Sequence, residues 1–467
     1  MAHPRFFHSL ATISSLLMAY IAPFRALRYD QSRVKLNDTI TQPYDKISAE
    51  MQEAYYQASP YNLVRIILGK KETTDRPGND AYSRAAGAFS DWRRQGIFVQ
   101  DRQPSIYLYV QRFTVPGIKT ELERRGLIAL GRIEDYSAGV VFRHEQTLSR
   151  PKADRLDLLR ATRAHFGQIF MLYSDPAGEI DGLLNPNGAP DMETIDEYGV
   201  SHKVWKISDV SVIDLVRARM REKKLIIADG HHRYETAINY RDERRAEATA
   251  HPGTGVPRER IAGETPRPPE EAPYELMMMT LVNMDSLGLV ILPTHRVVHG
   301  LTTFDSTPFR DKARAHFRVQ EIDPAFDGPR AAAILREAGR EATAILAVTP
   351  NRAFLLDQPK ATDTKVFAGL SPRQQSLDVV QLHKALLEEV LGLSEESIRD
   401  QQNLSYIRDA GEAVARVRRG AANIAFLMNP VKMEQVRDIA FGGEVLPQKS
   451  TDFFPKLLTG FTIYALE

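Results

Sequence analysis

The stretch Lys223 to Tyr240, KKLIIADGHHRYETAINY, constrains this chain more than any other. Four apolar residues, Leu225 to Ala228, run into Asp229-Gly230 and then into a helical pattern. A buried strand therefore turns into a helix at a glycine, and open α/β sheets build ligand sites at such strand ends. The first N–H groups of a helix have no partner within it and point outward, so the turn is a preformed anion site. Asp229 can cap the helix, and Gly230 permits a tight turn or the close approach of a phosphate.

The charges in that turn need a reason. His231, His232 and Arg233 put one fixed and two titratable cations where the helix dipole disfavours positive charge, by about 0.3 to 1 kcal/mol each when exposed. A bound anion would offset this. The plainer alternative pairs Arg233 with Asp229 or Glu235 and leaves the histidines as satisfied core or surface groups. A metal reading also competes, because His231 with Glu235 (i,i+4) and His232 with Glu235 (i,i+3) share a helix face. Two ligands do not close a site, and the others would have to come from His144, Glu145 or His295. No further ligand pair at metal spacing is visible, so no protein-bound metal is expected. A magnesium ion carried by a nucleotide needs only one or two carboxylates.

Composition narrows the class. With 467 residues the chain has room for two or three domains. Its 61 basic and 60 acidic residues leave a formal charge of +1, which gives no electrostatic case for nucleic acid or an anionic membrane as partner. There is no cysteine, which removes disulfides, thiolate ligands and cysteine nucleophiles and fits a cytoplasmic protein. Leu10 to Phe24 is the most membrane-like stretch, but it is broken by Ser and Thr and is shorter than the roughly 20 apolar residues of a spanning helix. It would suit a weak signal peptide without a convincing cleavage site.

The periodicities predict a mixed α/β fold. Asn62 to Gly69, Ser105 to Phe113 and Gly126 to Ile133 read as strands, and Ala81 to Gln95 as a helix with Trp92 on its apolar side. Ala153 to Phe166 reads as a helix with Leu156, Leu159 and Ala164 available to one face, followed by the strand GQIFMLYSD; Ile213 to Lys224 is a further helix. Arg244 to Pro273, rich in Pro, Glu, Arg and Gly, reads as a surface insertion. Beyond it come strands at Leu276 to Met284 and Gly288 to Pro293, alternating helix and strand from Thr303 to Thr349, an amphipathic helix at Leu377 to Leu391, a strand at Asn423 to Met428 and a helix at Met433 to Phe441. The expected division is an extension at 1–17, an α/β part at 18–243, the insertion at 244–273 and a second α/β part at 274–467, with the fold starting at Met18.

ADGHHRYETA resembles the signature of the ParB/sulfiredoxin superfamily, in which a glycine turn opens a helix and holds nucleotide phosphates. IAPFRALRYD, QPYDKIS, SPYNLVRIILGK, HEQTLSRPKADRLDLLRATRAHF, DGHHRYETA, LPTHRVV and LPQKSTDFFPKLLTG together resemble the domain-of-unknown-function family 1015. The nearest activity in the superfamily is that of the free-serine kinase. The resemblance implies a ParB/sulfiredoxin-like nucleotide-binding core with an additional α/β domain, and phosphate binding by Asp229, Gly230, His231, His232 and Arg233. Sulfiredoxin has a cysteine where His231 stands, so its thiol chemistry is excluded. ParB proteins add a helix-turn-helix DNA reader, and no such pattern or basic domain is visible here.

Other residues are candidates by position. His144 and Glu145 follow the apolar GVVF at a strand end, in the turn that continues to Gln146 and Thr147, and Glu145 is the expected general base if burial raises its pKa. Asp45 is the alternative carboxylate, or else the cap of a helix beginning near Ser48. His295 and Arg296 form either a phosphate or carboxylate clamp or a structural ion pair. Lys449, Ser450, Thr451 and Lys456 offer cations and hydroxyls in an extended loop that can close over an anion, though such loops are often only solvated. The expected function is a phosphotransferase using ATP or ADP, with CTP as a further choice, and nucleotide-borne Mg²⁺, acting on a small hydroxylated metabolite. A nucleotide sensor with little turnover and a phosphatase are the rivals.

Overall fold

The computed structural model describes residues 19–115, 120–146, 150–250, 272–340, 342–360 and 365–466. The expected extension at 1–17, Thr147 and the centre of the insertion lie outside the described residues. Leu225–Asp229 takes its place near one edge of a sheet that has nine strands among the described residues. The order runs Val141–Phe142, Leu225–Asp229, Ile169–Tyr173, Leu276–Asn283, Glu121–Arg132, Ile106–Thr114, Ser201–Ile207, Met192–Ile195, with Ile21–Ala22 added beside Glu121–Arg132. Leu225–Asp229 is parallel to Val141–Phe142, and Leu276–Asn283 to Ile169–Tyr173, while the other pairings are antiparallel. Leu276–Asn283 is buried along its whole length, as a strand covered on both faces must be.

A second sheet, of six described strands, runs Arg318–Ile322, Ala353–Asp357, Ala344–Val348, Ile424–Met428, His295–Val298, Leu404–Ile407. The expected boundary at 273/274 does not coincide with the sheets, since Leu276–Asn283 lies between strands of the first. The chain also returns. Leu446 and His144 are hydrogen-bonded main chain to main chain at 2.7 Å, Asp452–Phe454 pairs with Val290–Leu292, Thr459 bridges to Thr41, Ile463 to Leu27, and Tyr464–Ala465 pairs with Ala164–His165. This closing segment is core, with Phe461 and Ile463 at 0% exposure.

Several expected elements are confirmed: the helix Ala81–Arg94 buries Trp92, and Ile106–Thr114 pairs with Glu121–Arg132. Others need correction. Asn62 to Gly69 is not a strand; the Asn62 side chain accepts the Val64 N–H at 2.9 Å and starts the short helix Val64–Ile67. An apolar run of that length cannot be assigned by periodicity. The expected insertion begins later than Arg244, because the helix His231–Ala250 continues through it, with Arg245 paired to Glu275 at 2.6 Å. Ala164 leaves the preceding helix for the strand Ala164–His165. Leu377 to Leu391 is helical, but from Leu382 to Val390 the turns widen to i→i+5, as in Leu391 N–H to the Leu386 carbonyl at 2.9 Å. Asp45 caps no helix; it sits in the turn Tyr44–Lys46, and Ser48 caps Ala49–Ala58 by accepting the Met51 N–H. Among the described residues no helix is long and apolar enough to cross a membrane.

If the closing segment is part of the core, Phe461→Ala removes a fully buried ring and costs about 3 to 5 kcal/mol. Denaturant midpoints of the two proteins measure this. An unchanged midpoint would mean that the segment lies on the fold without stabilising it.

Candidate functional site

Parallel pairing places the two chemical motifs side by side. Val141 lies opposite Leu225 and Phe142 opposite Ile226, so two residues further on His144 reaches the end of Leu225–Asp229. Its Nδ1 donates to the Ile227 carbonyl at 2.6 Å, and its Nε2 lies 2.7 Å from the Thr451 hydroxyl. The His231 ring faces it, with centroids 5.0 Å apart. Glu145, the next residue, accepts the Thr451 N–H at 2.7 Å, the Thr451 hydroxyl at 2.6 Å and the Lys449 N–H at 3.2 Å. Lys449 has φ +57, a conformation a lysine holds only where its surroundings impose it, and the Glu145 bond is one such restraint.

The glycine turn is as tight as the sequence required. Gly230 has φ +97, and a Cβ there would stand 3.0 Å from Ile169 Cδ1 and 3.1 Å from Arg233 Nη2. The Gly230 carbonyl accepts the Tyr234 N–H at 2.9 Å, which opens the helix His231–Ala250. Arg233 donates to the Gln168 carbonyl and lies 3.7 Å from Asp229, the pairing foreseen as the structural alternative. Asp229 takes its stronger contact from Lys456 at 2.9 Å, and Lys456 also lies 3.2 Å from Asp452.

Burial and charge oppose each other here. Burial alone would push the Asp229 carboxyl up, but Lys456, Arg233 and Lys46 hold it well below the usual carboxylate range. Burial likewise pushes Glu145 up, yet the hydrogen bonds and charges of His144, His231 and Thr451 outweigh it and bring the group down to about 2. For His231 burial wins: assisted by His144, it lowers the imidazole to about 3, so the ring is neutral at pH 7. Its Nε2 is buried without a hydrogen-bond partner among the described residues. Burial is also the main reason that the Lys46 ammonium is lowered, with Lys456 adding to it.

The structure thus brings together Asp229, Gly230, His231, Arg233, His144, Glu145, Lys449, Thr451 and Lys456, with His232 in the same turn. Asp45 is exposed but close enough for its charge to act on Lys456. Ser450 turns inward and donates to the Pro447 carbonyl at 2.5 Å, so it braces the loop. His295 and Arg296 do not act as one clamp. They point to opposite faces of their strand: the His295 ring accepts the Met428 N–H at 3.2 Å, whereas Arg296 donates to the Lys449 carbonyl at 3.1 Å and supports the loop from behind. No group of three or more His, Asp or Glu side chains among the described residues is arranged to hold a metal ion.

Sequence reasoning missed Lys46 and Asp452. Both stand inside quoted blocks, QPYDKIS and LPQKSTDFFPKLLTG, but nothing in either block signals that the charge of Lys46 acts on Asp229 or that Asp452 pairs with Lys456. Gly167 was missed as well; a Cβ there would come within 2.9 Å of Arg233 Nη1, so the glycine makes room for the guanidinium.

The family model described as a protein of unknown function, DUF1015, matches residues 21–380. The chain belongs to this family. Among solved structures, a conserved hypothetical protein from Pyrococcus furiosus is 13% identical, the match covering 67% of this chain and 87% of that one with a TM-score of 0.32. A free serine kinase in complex with AMP is 12% identical over 67% of this chain and 83% of its own, with a TM-score of 0.34. SbnI with a C-terminal truncation, from Staphylococcus aureus, is 10% identical over 71% and 85%, with a TM-score of 0.32. No curated protein matches the chain.

In this DUF1015 chain the neutral, buried His231 predicts a pH dependence. A histidine whose folded pKa, about 3, lies below its ordinary 6.5 contributes stability above pH 6.5 that is lost as the pH falls toward 3. From pH 6.5 to 5.5, above the ordinary value of 4.5 at which Glu145 titrates in the unfolded chain, the wild type should lose more stability than His231→Asn, by up to about 1.4 kcal/mol per pH unit. Chemical denaturation at stepped pH measures the difference, and parallel curves would contradict the neutral burial of His231.

Proposed function

We propose that this chain is a nucleotide-dependent phosphotransferase acting on a small hydroxylated metabolite, serine or a relative. One observation carries the reading: a glycine at positive φ turns a buried strand into a helix start, and beside it stand Arg233 and the partnerless Nε2 of His231. Free helix N–H groups, a guanidinium and an imidazole form a cradle for phosphate oxygens. ATP or ADP is the donor in this reading, with CTP as a further choice. Asp229 and Asp45 are the nearby carboxylates available to water-coordinated Mg²⁺ on the nucleotide.

Phosphoryl transfer needs mainly positioning and charge neutralisation. The terminal P–O bond of the nucleotide breaks as the acceptor oxygen bonds to phosphorus, and the hydroxyl proton passes to a carboxylate. In this reading Glu145 takes that role. Its pKa is lowered rather than raised, so it is a weak base that orients the acceptor and takes the proton late, as the phosphorus–oxygen bond forms. The same feature favours a second reading, a nucleotide-binding sensor, because the three hydrogen bonds from Lys449 and Thr451 already engage Glu145.

Calorimetry with Mg²⁺ and ADP or ATP tests the cradle. Arg233→Ala should weaken binding roughly 10- to 150-fold, the cost of one charged hydrogen bond to phosphate. Unchanged binding would place the nucleotide elsewhere. Phosphorus NMR with serine and related hydroxy acids then separates the two readings. In a phosphotransferase, Glu145→Gln keeps nucleotide affinity and loses about 10²- to 10⁴-fold in turnover, whereas a wild type with no turnover is a sensor.

A further inference from the structure

A half-open cleft with a cavity volume of about 70 Å³ lies beside Arg233 and Thr236, on the helix that forms the cradle. Its walls are mainly apolar: Tyr44, Ile67, Leu158, Leu159 and Phe166. The Tyr44 wall is held in place, because the Arg155 guanidinium lies 4.1 Å from the centre of its ring and donates to the Ile67 carbonyl at 2.7 Å. Along another side run Ala164, His165, Phe166 and Gly167. Ala164–His165 pairs with Tyr464–Ala465 on one edge, and among the described residues no second strand takes the other.

Position identifies the occupant. Thr236 lies five residues beyond His231, about 7 Å along the helix axis. A ligand with phosphates at the helix start and a flat group at this cavity needs a spacer of ribose size between them. The acceptor, a small polar hydroxylated compound, would gain nothing from Leu158, Leu159 and Ile67 and would lose its hydration there. A planar aromatic base has the opposite balance, burying its faces against Tyr44 and Phe166 while its polar edge meets the main chain of the unpaired strand edge.

We infer that this cavity is the nucleobase pocket of the site, stacking the base against Tyr44 and Phe166 one helical turn from the phosphate cradle. The inference rests on the nucleotide reading above and adds where the base lies and what reads it. It also divides the ligand between two parts of the helix, phosphates at His231 to Arg233 and base at Arg233 to Thr236.

The test compares Mg²⁺-ADP with Mg²⁺-tripolyphosphate, which carries phosphates and no base, binding to wild type, Leu159→Trp and Tyr44→Ala. Leu159→Trp fills the cavity; Tyr44→Ala opens a partly exposed wall and covers the case in which the tryptophan disturbs the core. Melting temperatures of the free proteins report folding. Both variants should lose roughly 5- to 150-fold in ADP affinity and keep that for tripolyphosphate. Unchanged ADP binding in folded variants overturns the inference, as does an equal loss for both ligands, which would make the cavity a support of the cradle. A wild type that binds tripolyphosphate but not ADP overturns the base pocket alone. A wild type that binds neither overturns the nucleotide reading and the pocket with it.

Discussion

The largely buried contact between Lys456 and Asp229 joins the glycine turn of the first sheet to the returning segment of the chain. Asp229 ends the strand that runs into that turn, and Lys456 comes from the returning segment more than two hundred residues later. Neither charge is solvated enough to stand alone. Removing one partner of a buried pair typically costs about 3 to 5 kcal/mol, because the other charge is left unpaired. Glu145 makes a second tie of the same kind, gripping Lys449 and Thr451 from the neighbouring strand end. The loop over the site is thus held at both ends by charges that the first sheet supplies.

Which groups carry charge in the site follows from how each balances burial against its partners. Asp229 and Glu145 are desolvated, yet each has cations or hydrogen-bond donors close enough to keep it ionised. For His231 burial and the neighbouring His144 outweigh the nearby charges of Glu145 and Asp229 and leave it neutral. Cations and carboxylates alternate through the cluster, which makes it unlike a plain basic patch. In the reading proposed above, the groups left to meet a phosphate are the N–H groups at the helix start, Arg233 and the His231 ring. Carboxylates around that cradle suit a nucleotide that arrives with its own divalent cation.

The turn at Asp229 to Arg233 was legible because strand, glycine and helix leave a local pattern, and no tertiary contact was needed to read it. Glu145 and His144 were legible for a related reason, since they follow the apolar run GVVF, which reads as a strand end. Asp45, Lys449, Thr451 and Lys456 were found as chemistry without a place; the meeting of Lys449 and Thr451 with Glu145, and of Lys456 with Asp229 and the charge of Asp45, depends on the return of the chain after Leu446, which no periodicity encodes. Lys46 and Asp452 went unnoticed because a charged residue in a loop carries no mark of its distant partner. His295 was misjudged as a companion of Arg296, although alternation along a strand sends neighbouring side chains to opposite faces. Asn62 to Gly69 failed at the level of local structure, where a short apolar run allows helix and strand alike and the Asn62 side chain decides.

In the reading proposed above, nucleotide phosphates sit at the start of the helix His231–Ala250, beside the loop Lys449 to Thr451 that Glu145 holds. Amide hydrogen exchange read by mass spectrometry, with and without Mg²⁺-ADP, tests this, because the helix start presents main-chain N–H groups and the loop N–H groups are tied to Glu145 within the same cluster. Slowed exchange is expected in peptides covering Gly230 to Tyr234 and, in the same experiment, in those covering Lys449 to Lys456. Protection confined to the six-stranded sheet, or binding with no change at either segment, would contradict it.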